Sequence, residues 1–320
     1  MKKLTIGVMG CAAIAKSQLI PAIIATKQFN LVAVASRSKE KAMSFASLFD
    51  CEPVVGYKNL LQKPGIDAIY MPLPTGLHYK WILECLHAGK HVFVEKSLAH
   101  NYIQAKEIVA LAKKNKLALM ENYMFQYHSQ HQFVFDLIKR KEIGELRILR
   151  ANFGFPPLAI TNFRYNEKMG GGALLDAAGY TVKAVHFLLG KDFKVKAANL
   201  FQNENLGTNI YGGAFLDNGR GVSAQLGFGF DNFYQSNYEL WGSKGKITCQ
   251  RAFTAKPDFA PAILLEKQDE RKEFVMDMDN HFVGSIKEFY QITMHGGKEK
   301  HYEDILWQSK TLEDIRRLSK

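Results

Sequence analysis

Between residues 4 and 120, short apolar runs rich in β-branched side chains alternate with longer helix-compatible stretches, and this rhythm constrains the fold more than any other feature. Residues 4–9 form the first apolar run, Gly10 opens a turn, residues 12–26 are mostly apolar and helix-compatible, and residues 31–35 form a second run. That is a strand–turn–helix–strand unit. The alternation continues with strands expected at 67–71, 91–95 and 117–120, and helices at 78–88 and 101–114. Parallel strands joined by crossover helices make a doubly wound sheet, in which ligands bind beyond the carboxyl ends of the strands. Glu95-Lys96-Ser97 follows the apolar run 91–94 and therefore falls at such an end. A lysine placed there can act on a substrate.

Past Asn122 the rhythm changes. A helical stretch at 129–141 precedes candidate strands at 147–155, 194–201, 209–216, 221–228, 233–241 and 245–250, with glycine and asparagine at the joints, a pattern suited to an antiparallel sheet. A helix-rich segment at 172–189 interrupts it, and helices at 279–293 and 302–320 close the chain. A chain of 320 residues is long enough for two cores. The expected fold class is α/β: a Rossmann-type domain over 1–122, then an α+β domain over 123–320 whose C-terminal helix packs back on the first. The cleft between the domains is the default place for an active site.

Several classes of function are disfavoured. The net charge of +11 is spread along the chain, and runs such as Lys113-Lys114-Asn115-Lys116 and Lys139-Arg140-Lys141 lie at expected helix ends, where cations meet the negative end of the helix dipole. No nucleic-acid-binding signature accompanies the charge, so no nucleic-acid partner is expected. No apolar stretch approaches the roughly 20 residues of a membrane span, and Met1-Lys2-Lys3 runs straight into the first strand without a signal-peptide core. A cytoplasmic location is expected. Cys11, Cys51, Cys85 and Cys249 lack redox or metal-ligand spacing. His128 and His131 stand three apart without a third ligand, so no metal is expected.

The first turn reads Gly10-Cys11-Ala12-Ala13-Ile14-Ala15, with alanine at the second glycine position of the Gly-x-Gly-x-x-Gly/Ala fingerprint. The helix N-terminus behind Ala12, Ala13 and Ile14 still offers unpaired N–H groups to a phosphate. At the end of the second strand, where NAD sites carry an acidic residue for the ribose, this chain has Ser36-Arg37-Ser38. A hydroxyl and a guanidinium can bind a 2′-phosphate by charge-assisted hydrogen bonds. NADP(H) is therefore favoured over NAD(H).

A second constellation is Gly170-Gly171-Gly172, followed by Asp176 and Tyr180. A helix starting near Gly172 would set residues 176 and 180 one turn apart on one face. Asp176 can accept from a substrate hydroxyl, and Tyr180 can exchange a proton with a carbonyl or alcohol oxygen. Arg164 in Asn162-Phe163-Arg164-Tyr165 can bind an anionic group or hold an ion pair.

In order and spacing, residues 7–15, Pro72-Leu73-Pro74-Thr75-Gly76-Leu77-His78, Glu95-Lys96-Ser97 and the segment 170–180 together resemble the glucose-fructose oxidoreductase, inositol dehydrogenase and rhizopine catabolism (Gfo/Idh/MocA) family. The resemblance implies a Rossmann domain, a C-terminal domain on a large, mostly antiparallel open sheet that often forms the oligomer contact, and hydride transfer between nicotinamide and a sugar-like alcohol or carbonyl. It implies cofactor contacts at Pro72, Leu73, Pro74, His78, Glu95 and Lys96, with Lys96 also touching substrate. Ser97 stands where the family usually has proline, and Gln126 where it often has arginine, in a segment that faces substrate. Tyr180 stands where many members have histidine; the tyrosine version resembles the family's sugar 3-ketoreductases of deoxysugar pathways, its dihydrodiol dehydrogenases and glucose-fructose oxidoreductase itself. The expected protein is an NADP-dependent reductase of a sugar-like substrate, a nucleotide-linked ketosugar foremost, assembled as a homodimer or homotetramer. The alternatives are a dehydrogenase of a free aldose, cyclitol or dihydrodiol, and a non-catalytic NADP-binding sensor or scaffold.

Overall fold

Strands at Leu4–Met9 (β1), Phe29–Ser36 (β2), Glu52–Val55 (β3), Ala68–Met71 (β4), His91–Glu95 (β5) and Leu119–Asn122 (β6) pair in the order β3-β2-β1-β4-β5-β6 in the computed structural model, which describes residues 2–320. Every pairing in this sheet is parallel. Such a sheet is covered on both faces, which explains its near-continuous apolar strands. Ile6, Val8, Ala33, Ala35, Ile69, Met71, Val92 and Val94 are fully buried. The strand order reverses between β1 and β4, which opens a crevice at the carboxyl ends of those strands.

The crossover helices are Ile20–Thr26 (α1), Lys39–Phe49 (α2), Tyr57–Gln62 (α3), Thr75–His87 (α4) and Tyr102–Lys114 (α5). The first helix departs from expectation, since a wide π-helical turn at Ala15–Leu19 precedes α1. Pro21 has no N–H for the carbonyl four residues back, so regular α bonding cannot run through this point. The strand β3 and its flanking helices α2 and α3 fill a stretch for which the sequence carried no clear period. Lys113 and Lys114 do sit in the last turn of α5, where the helix dipole favours cations.

The second sheet comprises Leu146–Gly154 (β7), Lys194–Asn203 (β8), Thr208–Asp217 (β9), Ser223–Gly229 (β10), Gln235–Gly242 (β11), Gly245–Cys249 (β12), Ala262–Lys267 (β13) and Glu270–Val275 (β14). Its order is β14-β13-β12-β11-β7-β10-β9-β8, antiparallel throughout except for the parallel pair β7–β10. Gln130–Lys139 (α6) precedes this sheet. Ala173–Asp176 (α7) and Ala178–Leu189 (α8) lie between β7 and β8, with α8 packed on β7 and β10. Residues Ala178 to His186 are all buried. Along β11, Ser236, Tyr238 and Leu240 point into the core while Trp241 on the other face is 46% exposed, the alternation of a sheet covered on one side.

His281–Met294 (α9) and Lys298–Leu318 (α10) close the chain. By contact the chain divides into two units, one running to Asn122 and taking in Phe282–Leu306, the other formed by Tyr123–His281 and Trp307–Lys320. Phe289 of α9 stacks on Phe29 and Phe93 of the parallel sheet, and the Tyr302 hydroxyl donates to the Leu117 carbonyl. These contacts tie the returning segment to the first unit. Among the described residues no helix is long and apolar enough to cross a membrane.

Candidate active site

The crevice in the first unit starts at the turn after β1. Gly10 has φ of 126°, and a side chain built on it would place its Cβ 2.8 Å from Leu73 Cδ2. Only glycine combines that backbone with that contact. The loop after β4 thereby closes down on the turn. Gly10, Ala12, Ser36, Arg37, Ser38 and Pro72 to Pro74 line one cavity of about 230 Å³. Ala13 is exposed and, with Ile14, lies outside that lining. So the structure brings most of the residues expected at the cofactor onto one surface.

The lining of this cavity carries two basic side chains, Arg37 and Lys41. Ser36 ends β2, and its Oγ accepts from the Ser38 N–H at 3.2 Å. Ser38 is the N-cap of α2, its Oγ accepting from the Lys41 N–H at 3.2 Å. The capping turn brings Lys41 to the lining beside Arg37, with Tyr57 and Cys11 completing it. Burial raises the Tyr57 phenol, against the pull of Arg37, which lies within hydrogen-bonding reach. Lys41 and Tyr57 escaped the sequence reading. Lys41 could have been found, because a Ser N-cap sets the residue three positions on beside it.

The carboxyl end of β5 carries Glu95. Its Oε1 accepts from the Tyr70 hydroxyl at 2.8 Å and from Asn122 Nδ2 at 2.9 Å. Those donors stand on the neighbouring strands β4 and β6, where Asn122 is the register partner of Glu95. Burial pushes the Glu95 carboxyl up, while Asn122 and Tyr70 resist the shift. The peptide bond Lys96–Ser97 is cis. The turn is held from β6 as well, since the Leu98 N–H donates to Glu121 Oε1 at 2.7 Å. His78, expected at the cofactor, is fully buried, with Nδ1 2.8 Å from the Ser97 carbonyl and Nε2 2.7 Å from the Leu73 carbonyl.

In the second unit the helix expected to carry both Asp176 and Tyr180 is broken at Ala177. Asp176 ends α7 and Tyr180 lies in the first turn of α8, its N–H donating to the Ala177 carbonyl at 3.2 Å. The glycine run docks the start of α7 on the loop before it. A Cβ on Gly171 would lie 2.4 Å from the Arg164 carbonyl and 2.7 Å from that of Asn166, and Gly171 and Gly172 donate to these two oxygens, to Asn166 and Arg164 respectively, at 2.9 Å. This docking sets Arg164 against Asp176, Nε to Oδ2, at 2.7 Å. Burial opposes the guanidinium charge, but Asp176 holds its pKa raised. Of the two roles open to Arg164, the structure shows the ion pair.

Tyr180 is 6% exposed and enclosed by aromatic rings, with Phe153 at 4.6 Å and Tyr123 edge-on at 5.5 Å between centroids. Its hydroxyl faces Met124 Sδ at 3.9 Å. Gln126 lies in the short turn Met124–Tyr127, its Nε2 donating to the Tyr123 carbonyl at 3.0 Å. His128 and His131 diverge: His131 Nδ1 meets the Tyr238 hydroxyl at 2.9 Å, and His128 packs against His281. Among the described residues no group of three or more His, Cys, Asp or Glu is placed to hold a metal.

Comparison with known proteins follows the same outline. Residues 4–123 match the model of an oxidoreductase family with an NAD-binding Rossmann fold, and residues 131–248 match the GFO/IDH/MocA C-terminal domain. The chain is 42% identical over 289 residues to a dTDP-3,4-didehydro-2,6-dideoxy-alpha-D-glucose 3-reductase of Saccharopolyspora spinosa, covering 90% of this chain and 87% of the relative. A solved 3-ketoreductase from Actinomadura kijaniata, in complex with NADP and TDP-benzene, superposes with a TM-score of 0.96 at 38% identity, covering 99% of this chain and 98% of that one. An aldose-aldose oxidoreductase from Caulobacter crescentus shares the fold at a TM-score of 0.91 and 20% identity, covering 99% and 98% of the two chains.

Proposed function

The chain belongs to the Gfo/Idh/MocA oxidoreductase family, and from that premise we propose that it is an NADP-dependent reductase of a nucleotide-linked ketosugar. What carries the reading is its near full-length similarity to deoxysugar 3-reductases. The first unit fits the cofactor: the Gly10 turn lets backbone approach a pyrophosphate, and Ser36, Arg37 and Lys41 suit a 2′-phosphate that an acidic residue would repel. NADPH, when bound, supplies the hydride.

The chain's own residues supply the rest. Tyr180 donates the proton that the carbonyl oxygen needs as it becomes a hydroxyl, and Lys96 stabilises negative charge developing on that oxygen. Asp176, fixed by Arg164, accepts from a neighbouring substrate hydroxyl. The aromatic enclosure keeps water from the Tyr180 proton.

The test is a spectrophotometric panel of nucleotide-linked ketosugars, free aldoses, cyclitols and dihydrodiols, each with NADPH and NADH. Turnover is expected with a nucleotide-linked ketosugar and NADPH, and Tyr180→Phe is expected to lower kcat about 10²- to 10⁴-fold. Turnover confined to free polyols or to NADH, or full activity in Tyr180→Phe, would refute the proposal.

A further inference from the structure

We propose that His78 is a positioning residue for Lys96: its buried ring clamps the turn that carries the lysine to the loop after β4 that lines the cofactor cavity. The inference rests on the reading of Lys96 as a residue that touches substrate. The two ring nitrogens lie 2.8 and 2.7 Å from the carbonyls of Ser97 and Leu73, and no part of the side chain reaches solvent. Both nitrogens thus face main-chain oxygens. What the ring does reach is the Ser97–Leu98 peptide unit, one residue past Lys96.

The chemistry of the clamp is specific to imidazole. Two carbonyls facing one ring call for two N–H groups, and a neutral imidazole carries one. Burial lowers the His78 pKa to about 4, so near neutral pH the ring is uncharged and one carbonyl receives the proton. That proton sits on Nδ1 and is donated to the Ser97 carbonyl. On the opposite side of the same turn Glu121 Oε1 accepts from the Leu98 N–H at 2.7 Å. With α4 holding one side and β6 the other, the main chain beside Lys96 is gripped at consecutive residues, and the ammonium hangs from a fixed point. Misplacement of a reacting group by about 1 Å can cost about 10²-fold in rate, which is the scale on which such a grip acts.

Three variants test it in the full chain with the ketosugar and NADPH. Asparagine keeps a donor near the position of Nδ1, glutamine keeps one near that of Nε2, and leucine keeps neither. Expected is a kcat close to that of the parent for His78→Asn and a fall of about tenfold or more for His78→Gln and His78→Leu. NADPH binding, read by fluorescence titration, should change little in any of them. If His78→Leu does not fold, as judged by its melting transition, the Asn and Gln pair decides alone. Equal kcat in those two variants would overturn the assignment, as would a His78→Leu enzyme that turns over at the parent rate. Lys96→Met in the same assay separates the two claims: loss of turnover there with no difference between Asn and Gln sinks only the role of His78, whereas retained turnover sinks the reading of Lys96 itself.

Discussion

At the scale of single residues, the proposed preference for NADPH rests on a few basic and hydroxyl groups in the cavity lining. Arg37 and Lys41 are among the residues that line the cavity, and no carboxylate among the described residues is. A charge-assisted hydrogen bond is worth about 1.5–3 kcal/mol, or about tenfold and upward in affinity. Arg37→Ala and Lys41→Ala should each raise KM for NADPH by about that factor and leave KM for NADH almost unchanged. Steady-state kinetics with both cofactors read the ratio, and an unaltered ratio in both variants would place the 2′-phosphate elsewhere. Arg37 was legible in the sequence because it occupies the site where a carboxylate would announce NAD. The burial of His78 was not, because a histidine in a loop motif looks the same whether it faces a ligand or two carbonyls.

At the scale of elements, the glycine run is the joint on which the second unit's candidate site depends. Gly171 approaches the carbonyls of Arg164 and Asn166 too closely for any side chain, and backbone atoms cannot swing aside as a flexible side chain does. Gly171→Ala should therefore destabilise the protein by about 1–3 kcal/mol, as overpacking does, and loosen Arg164 from Asp176. Thermal melting gives the first effect, and a rise in KM for the sugar at unchanged KM for NADPH gives the second. An alanine variant as stable and active as its parent would mean that the loop has room the contacts do not show. The broken helix at Ala177 was not legible, since the apolar residues on either side keep a helical period that runs through the break. The sheet was legible through β12 and then lost. The edge strand β14, Glu-Arg-Lys-Glu-Phe-Val, is almost wholly exposed, so no alternation marks it. By contrast β1, β4 and β5, buried on both faces, read as apolar runs from sequence alone.

At the scale of the whole molecule, buried histidines set how the fold responds to acid. Burial lowers His78 and His91 to about 4, and His131 and His281 to about 3, and lowers His128 beside them, while Asp279 is held below the usual carboxylate range by hydrogen bonds at Ser129 and by His128 despite burial. Each histidine takes up its proton near 6.5 once unfolded. The unfolded chain therefore binds more protons than the native one below that pH, and stability falls as pH drops from about 6.5 toward 3. A tenfold loss of proton affinity on folding corresponds to about 1.4 kcal/mol, so together these groups amount to several kcal/mol. The melting temperature should hold between pH 7 and 8 and decline steeply below pH 6, and a flat profile down to pH 4 would show that these side chains are hydrated. The parallel pair β7–β10 has a consequence of another kind. Both neighbours of β7 in the sheet, β10 and β11, come much later in the chain. During synthesis β7 leaves the ribosome with two open edges and waits for the crossover bearing Asp176 and Tyr180, and then β8 and β9, to be made before its partners arrive. The segment that carries the candidate chemistry is also the delay during which the nascent sheet is most open to mispairing with another chain.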